Sequence, residues 1–460
     1  MDGDQQSGAD LVVRGRRVVL PGGVQPASIH ICDGLIVKVG EWDEIESATA
    51  LFDAGDQAIL PGVVDLHAHI NEPGRTAWEG FESATRAAAA GGITTLIDMP
   101  LNSIPPTVGS AELDRKILAT AGKLSIDVGF HGGIVPGNEA NLAPLIHAGV
   151  IGLKCFLCDS GVDEFPAVTV GQLAGSLQRI TEFDPWVLVH AECPEVLAAA
   201  RERLKDRSSW TYCDYLNSRP DEAEIAAIQR LIELAERTKA RIHIVHLSSA
   251  AALPLIAAAK AQGLAVTAET CPHYLTFDTQ SIADCATEFK CAPPIRAAAN
   301  REALWQGLRD GTIDFIASDH SPCLPELKEH RDFSQAWGGI SSLQCSLAAV
   351  WSDARQRGLG LSDLALWMCQ RPAQLGRLAT KGSIESGKDA DLICFAPDES
   401  FTFAEEEILH RHKLTPYSGR QMTGVVKQTF LRGALIYDRG FWGSRLQGRV
   451  VRIGSRGSAA

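Results

Sequence analysis

Short apolar runs alternate with polar loops and helical stretches through the middle of the chain. Eight of these runs have the length and composition of buried strands: GVVDLHAHI, GITTLIDMP, SIDVGFHGGI, IGLKCFLC, WVLVHAE, RIHIVHLSS, LAVTAETC and IDFIASDH. Between them lie segments such as EIAAIQRLIELAERTKA, in which Ile225, Ile228 and Ile232 share one helical face. Strands that alternate with helices in this way predict an α/β fold built on a closed (β/α)8 barrel, the TIM barrel.

The same alternation would fit a doubly wound open sheet. However, no Gly-x-Gly-x-x-Gly or Walker loop follows the first strand, so the nucleotide-binding version of that fold has no support. Near the first predicted helix, Thr76 and Glu79 have the spacing of a capping box just before Trp78 and Phe81. This spacing predicts that the helix begins there.

The two ends of the chain have a different sequence pattern from the middle. LVVRGRRVVL, SIHICDGLIVKVG and LFDAGDQAIL are short alternating runs separated by Gly and Pro, and DADLICFA and TFLRGALIYDRG resemble them near the other end. We therefore expect residues 1–57 and 383–460 to combine into a smaller β domain beside a barrel that spans residues 58–382.

Composition narrows the class of protein. The 460 residues are 45% hydrophobic, which is enough for a large core, and the net charge of −13 does not suit a surface that coats nucleic acid or anionic lipid. No run approaches the roughly 18 apolar residues that span a bilayer. The first residues, MDGDQQSGAD, are polar and acidic rather than a signal peptide, so we expect a cytoplasmic protein.

Twelve cysteines are spread along the chain without the spacing of a disulfide framework. Without an export signal they are interpreted as reduced thiols. Cys155 and Cys158 form a Cys-x-x-Cys pair, but no second pair exists to complete a four-cysteine zinc site. We therefore expect two buried structural thiols.

Ionisable residues cluster where the predicted strands end, which is where barrel enzymes place their chemistry. His67 and His69 close the first strand, and residues two apart on a strand point to the same side. Four further strand ends carry Lys154, His190, His246 and Asp319. His131 and His273 also lie near strand ends, and for these two a structural role is favoured over contact with a substrate.

Each of these residues has an ordinary structural explanation when taken alone, but together they favour a site for divalent metal ions. Neutral imidazole and carboxylate suit zinc and similar first-row ions. Two such ions, roughly 3.5–4 Å apart, can polarise a carbonyl and deliver hydroxide at neutral pH. A lysine ammonium cannot bind a cation, so Lys154 would take part only as a carbamate. That modification is a hypothesis motivated by its position.

Several segments together resemble the cyclic amidohydrolases of the amidohydrolase superfamily. They are DLHAHINEPGRTAWEGF, GGITTLIDMPLNS, GLKCFLCDSGVDEFP, VHAE, HIVHLSS, ETCPHYL, KCAPPIR and IASDHSPC, from about residue 58 to 325. The flanking β segments and GSIESGKDADL resemble the composite β-sandwich of that family. The resemblance therefore covers nearly the whole chain.

The resemblance implies a binuclear metal centre and a hydrolytic activity. His67, His69 and Asp319 would hold one ion, His190 and His246 the other, and Lys154, carboxylated to N6-carboxylysine, would bridge both. Zinc is favoured, with iron, cobalt or manganese as alternatives. Asp319 would also pass a proton to the leaving nitrogen. Homotetramers are common in the family.

Three groups of the family differ in the ring that they open. Dihydroorotases typically have an arginine two positions after the His-x-His pair, where this chain has Asn71. Hydantoinases and dihydropyrimidinases usually have a tyrosine five residues after the bridging lysine, where this chain has Asp159. MPLNSIPPT, KCFLCDSG and KCAPPIR resemble the allantoinase group instead. That resemblance implies a small neutral cyclic ureide, allantoin, as the substrate and allantoate as the product.

Substrate contacts are expected from Asn71 and Asn102 and from the main chain around Cys291 and Ser321, because amides and backbone groups can pair with a neutral ureide. A hydantoinase or dihydroorotase activity stays open as the alternative. A non-enzymatic scaffold protein, as found among relatives that have lost their ligands, is disfavoured because all six ligand positions are present. Whether the loop at 159–165 closes over the substrate is left open.

Overall fold

Parallel strands close into a barrel in the middle of the chain. The computed structural model describes residues 9–45 and 48–453, so the N-terminal residues on which the cytoplasmic expectation partly rests lie outside the described residues. The strands are β6 (Val63–Ala68), β7 (Ile93–Asp98), β8 (Asp127–Phe130), β9 (Gly132–Gly133), β10 (Leu153–Phe156), β11 (Trp186–His190), β12 (Arg241–Ile244), β13 (Val266–Thr270) and β14 (Phe315–Ile316). β8 and β9 are two pieces of the third barrel strand.

Each neighbouring pair in this series that shares a ladder is parallel. A parallel bridge between Ala68 and His320 connects the first strand to the last and closes the barrel. All eight predicted strands are present, and the TIM barrel fold is confirmed. Because the strands are parallel, their C-terminal ends meet at one face.

Helices follow the strands and surround the barrel. They are α1 (Phe81–Ala90), α2 (Ser110–Ala119), α3 (Glu139–His147), α4 (Val170–Ile180), α5 (Pro194–Glu202), α6 (Tyr212–Asn217), α7 (Asp221–Thr238), α8 (Leu253–Ala261), α9 (Pro272–Thr276), α10 (Ala298–Arg309), α11 (Ser346–Gln356), α12 (Leu361–Ala365) and α13 (Arg371–Leu375). In α7, Ile228 is fully buried, and Ile225 and Ile232 are partly buried against the same core. The predicted helical face is therefore the one that packs inward.

The predicted capping box at the first helix is wrong. Helix α1 begins at Phe81, and its N-cap is Gly80, whose φ of 99° suits glycine and which offers no side-chain cap. The main-chain N–H of Phe81 donates instead to Oε2 of Glu72 at 2.8 Å. The side chain of Glu79 is buried and accepts from the main-chain N–H of Arg411 at 3.1 Å. A bond to Glu72, nine residues before Phe81, has replaced the cap that the spacing of Thr76 and Glu79 predicts.

Strands from both ends of the chain form one further sheet. It contains β1 (Leu11–Leu20), β2 (Gly23–Cys32), β3 (Leu35–Gly40), β4 (Ala50–Asp53), β5 (Ala58–Pro61), β15 (Leu392–Thr402), β16 (Gln421–Leu431), β17 (Ala434–Asp438) and β18 (Phe441–Trp442). β5 pairs antiparallel with β15, which joins the N-terminal strands to the C-terminal ones. The proposed boundary at residue 57 falls directly before β5.

The two largest apolar cores among the described residues stabilise these layers. The larger one lies between the barrel strands and their helices, and a smaller one is formed by residues such as Val13, Ile29 and Phe430 within the terminal sheet. Cys155 and Cys158 are both buried and free, as expected for structural thiols. Across residues 9–45 and 48–453, no helix has the length and apolar character needed to cross a membrane.

Candidate active site

A cavity of about 450 Å³ opens at the C-terminal ends of the barrel strands. All six residues that were predicted as metal ligands line it: His67, His69, Lys154, His190, His246 and Asp319. They come from the first, fourth, fifth, sixth and eighth strands, so closure of the barrel brings together residues that are far apart in sequence. The prediction that these side chains converge is confirmed, whereas their binding of metal stays a prediction.

One group forms around the carboxylate of Asp319. Its Oδ1 atom lies 3.2 Å from Nε2 of His67 and 3.5 Å from Nε2 of His69. The two imidazoles reach the same oxygen because they are two residues apart at the end of β6. The three ligand atoms lie within 4.8 Å of one another, which is close enough for one ion.

A second group forms between the fifth and sixth strands. Nδ1 of His190 lies 3.0 Å from Nε2 of His246. The rings of His246 and His67 are 5.5 Å apart between centroids, so the two groups are neighbours. Such an arrangement of neutral imidazoles offers ligands for a second ion beside the first.

Lys154 lies within the same cavity and is fully buried. Among the described residues, no atom accepts a hydrogen bond from its Nζ. Burial lowers the pKa of Lys154 to about 8, which raises the share of neutral amine at neutral pH. A buried amine without a partner fits a position that is modified or that contacts a bound group.

The protonation states also suit metal binding. Burial raises the pKa of Asp319, but the imidazoles of His67 and His69 outweigh this effect and lower it to about 2. The pKa of His190 and of His246 is lowered, mainly by burial, so both rings are neutral at neutral pH. Neutral imidazole and ionised carboxylate are the forms that coordinate a cation.

Two buried glutamates support the histidines and were missed from the sequence. Oε2 of Glu192 lies 2.6 Å from Nε2 of His190, and Oε1 of Glu269 lies 2.5 Å from Nδ1 of His67. Burial raises the pKa of Glu192, and the Arg219 guanidinium and His190 lower it to about 2. Glu192 stands two residues after His190, so its position at a strand end was a usable signal, whereas no local pattern relates Glu269 to His67.

The predicted substrate contacts divide into two sets. Asn102, Cys291 and Ser321 line the cavity, but Asn71 does not. Asn71 has a φ of 67°, donates to the main-chain oxygen of Pro322 at 3.1 Å and accepts from the Asn102 amide at 3.1 Å. The side chain of Asn71 therefore lies behind Asn102 and holds it in place.

The two other histidines near strand ends do not line the cavity either. His131 is buried, and its Nε2 lies 2.9 Å from the main-chain oxygen of Leu66. His273 is buried too, and neither of its ring nitrogens has a hydrogen-bond partner among the described residues. The structural role that was favoured for His131 agrees with its contact.

Comparison with known proteins places this site in context. Residues 58–436 match the amidohydrolase family. The chain is 52% identical to an allantoinase of Streptomyces avermitilis over 94% of this chain and 97% of that one. It is 43% identical to an allantoinase of Arabidopsis thaliana over 93% of this chain and 88% of that one.

Among solved structures, the L-hydantoinase (dihydropyrimidinase) of Arthrobacter aurescens superposes with a TM-score of 0.92 at 31% identity, covering 96% of this chain and 100% of that one. Two kinds of comparison, by sequence and by structure, thus lead to the same superfamily. They agree with the barrel, the terminal sheet and the strand-end cluster of ligand-type side chains. The chain belongs to the amidohydrolase family and, within it, groups with the allantoinases.

Proposed function

We propose that this protein hydrolyses the cyclic amide bond of allantoin to give allantoate. The observation that carries the proposal is the convergence of four histidines, Lys154 and Asp319 on one cavity, in a chain 52% identical to an allantoinase. Water would add to the ring carbonyl, the carbon–nitrogen bond would break, and the carbonyl would become a carboxylate. The ring nitrogen would leave with a proton.

We propose that the cavity holds two divalent ions. His67, His69 and Asp319 would hold one ion, His190 and His246 the other, and Lys154 would bridge them as N6-carboxylysine. The unpartnered, buried amine of Lys154 supports this, because carboxylation begins from a neutral amine. Zinc suits the ligands best, and iron, cobalt and manganese also suit them. When bound, such ions polarise a carbonyl and lower the pKa of water from about 15.7 toward about 7.

Asp319 is proposed as the group that moves the proton. Its low pKa keeps it ionised, so it can accept a proton from the attacking water. The same carboxylate faces the cavity and can then donate this proton to the leaving nitrogen. Without that transfer the nitrogen would leave as an anion, which is a far poorer leaving group.

A neutral ring is favoured over a ring that carries a carboxylate. Asn71 stands where dihydroorotases have an arginine. Its side-chain amide already donates a hydrogen bond to Pro322 and accepts one from Asn102. Asn102, which lines the cavity, and the main chain around Cys291 and Ser321 can exchange hydrogen bonds with the amide groups of a ureide. A hydantoinase-type activity is the alternative within the same chemistry.

The test is a substrate panel with purified protein. We expect fast turnover of allantoin, slower turnover of hydantoin and dihydrouracil, and none of dihydroorotate, together with about two divalent ions per chain by elemental analysis. Turnover of dihydroorotate without turnover of allantoin would refute the substrate. Full activity in a metal-free preparation would refute the proposed chemistry.

The oligomeric state and the cellular compartment of the protein are also proposed. We propose a cytoplasmic homotetramer, supported by the resemblance to family members that form tetramers and by the twelve cysteines, none of which is paired in a disulfide. Light scattering coupled to gel filtration measures the assembly. A monomer at assay concentrations would contradict it.

A further inference from the structure

One wall of the cavity carries a buried lysine that the proposed chemistry does not use. Lys290 lies between β13 and β14, lines the cavity and is only 8% exposed. Lysine is rarely buried without a counter-charge. Among the described residues no carboxylate forms an ion pair with it, and the acceptor that its Nζ has is a main-chain oxygen, that of Ala336 at 2.5 Å.

The surroundings of Lys290 hold it in place and leave part of its ammonium unused. Its Nζ lies 5.0 Å from the centroid of the Tyr215 ring. Its main-chain oxygen accepts from the N–H of Gly339 at 2.8 Å and from Nζ of Lys328 at 3.1 Å. An ammonium has three N–H donors, and Ala336 takes one of them. At least one donor is therefore left for a molecule in the cavity, because the side chain keeps two N–H groups even as a neutral amine.

The charges around Lys290 also favour an acceptor from a bound molecule. Burial and the nearby cations Lys328, Arg219 and Arg201 lower its pKa to about 7. A buried cation without compensation is costly, so an acceptor oxygen beside it would stabilise the bound state. Two arginines, Arg201 and Arg219, also line the cavity, and Arg219 is already paired with Glu192. Lys290 is thus a buried donor on this wall that a ligand can engage.

We propose that Lys290 determines specificity by donating a hydrogen bond to the urea carbonyl of the substituent on the substrate ring. This rests on the proposed function and deepens it. A cavity of about 450 Å³ has room for a ring that bears such an arm. The arm is assigned as a neutral urea because the ring of the proposed substrate carries such a group, whose carbonyl oxygen can accept from Lys290.

The experiment compares rings that share the scissile amide but differ in the arm. The panel contains allantoin, unsubstituted hydantoin, 5-propylhydantoin and hydantoin-5-acetic acid. For Lys290→Met we expect kcat/KM for allantoin to fall about 10- to 100-fold, since hydrogen bonds to charged groups contribute that much. For hydantoin and 5-propylhydantoin the change should stay within about threefold, because neither carries an acceptor in its arm.

Lys328→Met is the matched control. Lys328 is also buried and donates to the main-chain oxygens of Thr287 and Lys290, but it does not line the cavity. Lys328→Met should change kcat/KM for all four substrates by the same factor, because it acts only through the stability of the cavity wall. Lys290→Gln keeps a donor for Ala336 but removes the charge. Its kcat/KM should also fall selectively for allantoin, but by a smaller factor than in Lys290→Met. It also serves if the methionine variant does not fold.

Equal losses on allantoin and hydantoin in the Lys290 variants, or no loss on either, would overturn the proposal. If the Lys290 variants lose more kcat/KM on hydantoin-5-acetic acid than on allantoin, Lys290 recognises a carboxylate rather than a urea. That result would also overturn the proposal. If the wild-type protein opens hydantoin but not allantoin, the proposed function fails by itself. The inhibition constant of allantoin against hydantoin hydrolysis, in wild type and Lys290→Met, then decides the role of Lys290.

Discussion

Nδ1 of His67 lies 2.5 Å from Oε1 of Glu269, a residue 202 positions later in the chain. The other oxygen of Glu269 lies 3.1 Å from Nε2 of His243. The carboxylate therefore fixes the ring of His67 with its Nδ1 protonated, so that Nε2 faces Asp319 with a free lone pair. A carboxylate behind a histidine in this way raises the basicity of the nitrogen that faces a metal ion.

Replacing that carboxylate should weaken metal binding while the proposed ligands remain intact. For Glu269→Gln we expect metal affinity to fall about 10- to 100-fold, measured by titration of the apoprotein with zinc. Glu302→Gln, which removes a carboxylate that pairs with Arg357 on the surface, is the control and should leave affinity unchanged. Unchanged affinity in Glu269→Gln would show that Glu269 only packs the strand.

The proton transfer assigned to Asp319 has its own test. Asp319→Asn keeps the size of the side chain but cannot accept a proton, so turnover of allantoin should fall about 10²- to 10⁴-fold. Circular dichroism should show an unchanged fold. Metal content is measured in the same sample, because loss of metal alone would indicate a ligand role. A variant with near-normal turnover would contradict both roles.

Lys154 is expected to matter through its modification. Lys154→Ala should lose metal retention, since it removes the carbamate that would bridge the ions. Bicarbonate with a short-chain carboxylic acid should restore part of both metal content and activity, because a free carboxylate can occupy the space of the carbamate. Mass spectrometry of the native wild-type protein should show the added carbon dioxide at Lys154. Wild-type metal content in the alanine variant would contradict the bridge.

Arg75 connects three loops beside the cavity. Its guanidinium donates to the main-chain oxygen of Asn102 at 2.6 Å and forms an ion pair with Glu164. It also lies 5.1 Å from the ring of Trp78, whose ring is 5.0 Å from that of Trp337. Asn102 and Trp337 line the cavity, so the contact ties the loop at 159–165 to its rim.

Breaking this ion pair should loosen the loop without harming the barrel. For Glu164→Gln we expect faster hydrogen exchange across 159–165 and a KM raised about two- to fivefold, in keeping with the small energy of a partly exposed ion pair. Glu399→Gln, which removes a surface pair with Lys427 in the terminal sheet, is the control. Exchange that stays at the wild-type rate would mean that the loop is held by its own contacts.

The sequence by itself determined the repeated strands and the residues at their ends. Period-two spacing placed His67 and His69 on one side of β6, and the rule that parallel strands end at one face brought Lys154, His190, His246 and Asp319 toward them. These inferences succeed because they depend only on local spacing and on the type of fold. The resemblance of the strand-end motifs then supplied the chemistry.

Only the tertiary structure decided what supports and surrounds that centre. It placed Glu269 behind His67, turned Asn71 away from the cavity toward Pro322, replaced the expected capping box with a bond from Phe81 to Glu72, and put Lys290 on the cavity wall. The contacts of Glu269 and Asn71 join strands and loops whose approach follows from closure of the barrel, whereas Glu72 reaches Phe81 from nine residues earlier in the same loop. Local pattern carries no information about partners that are brought near only by that closure.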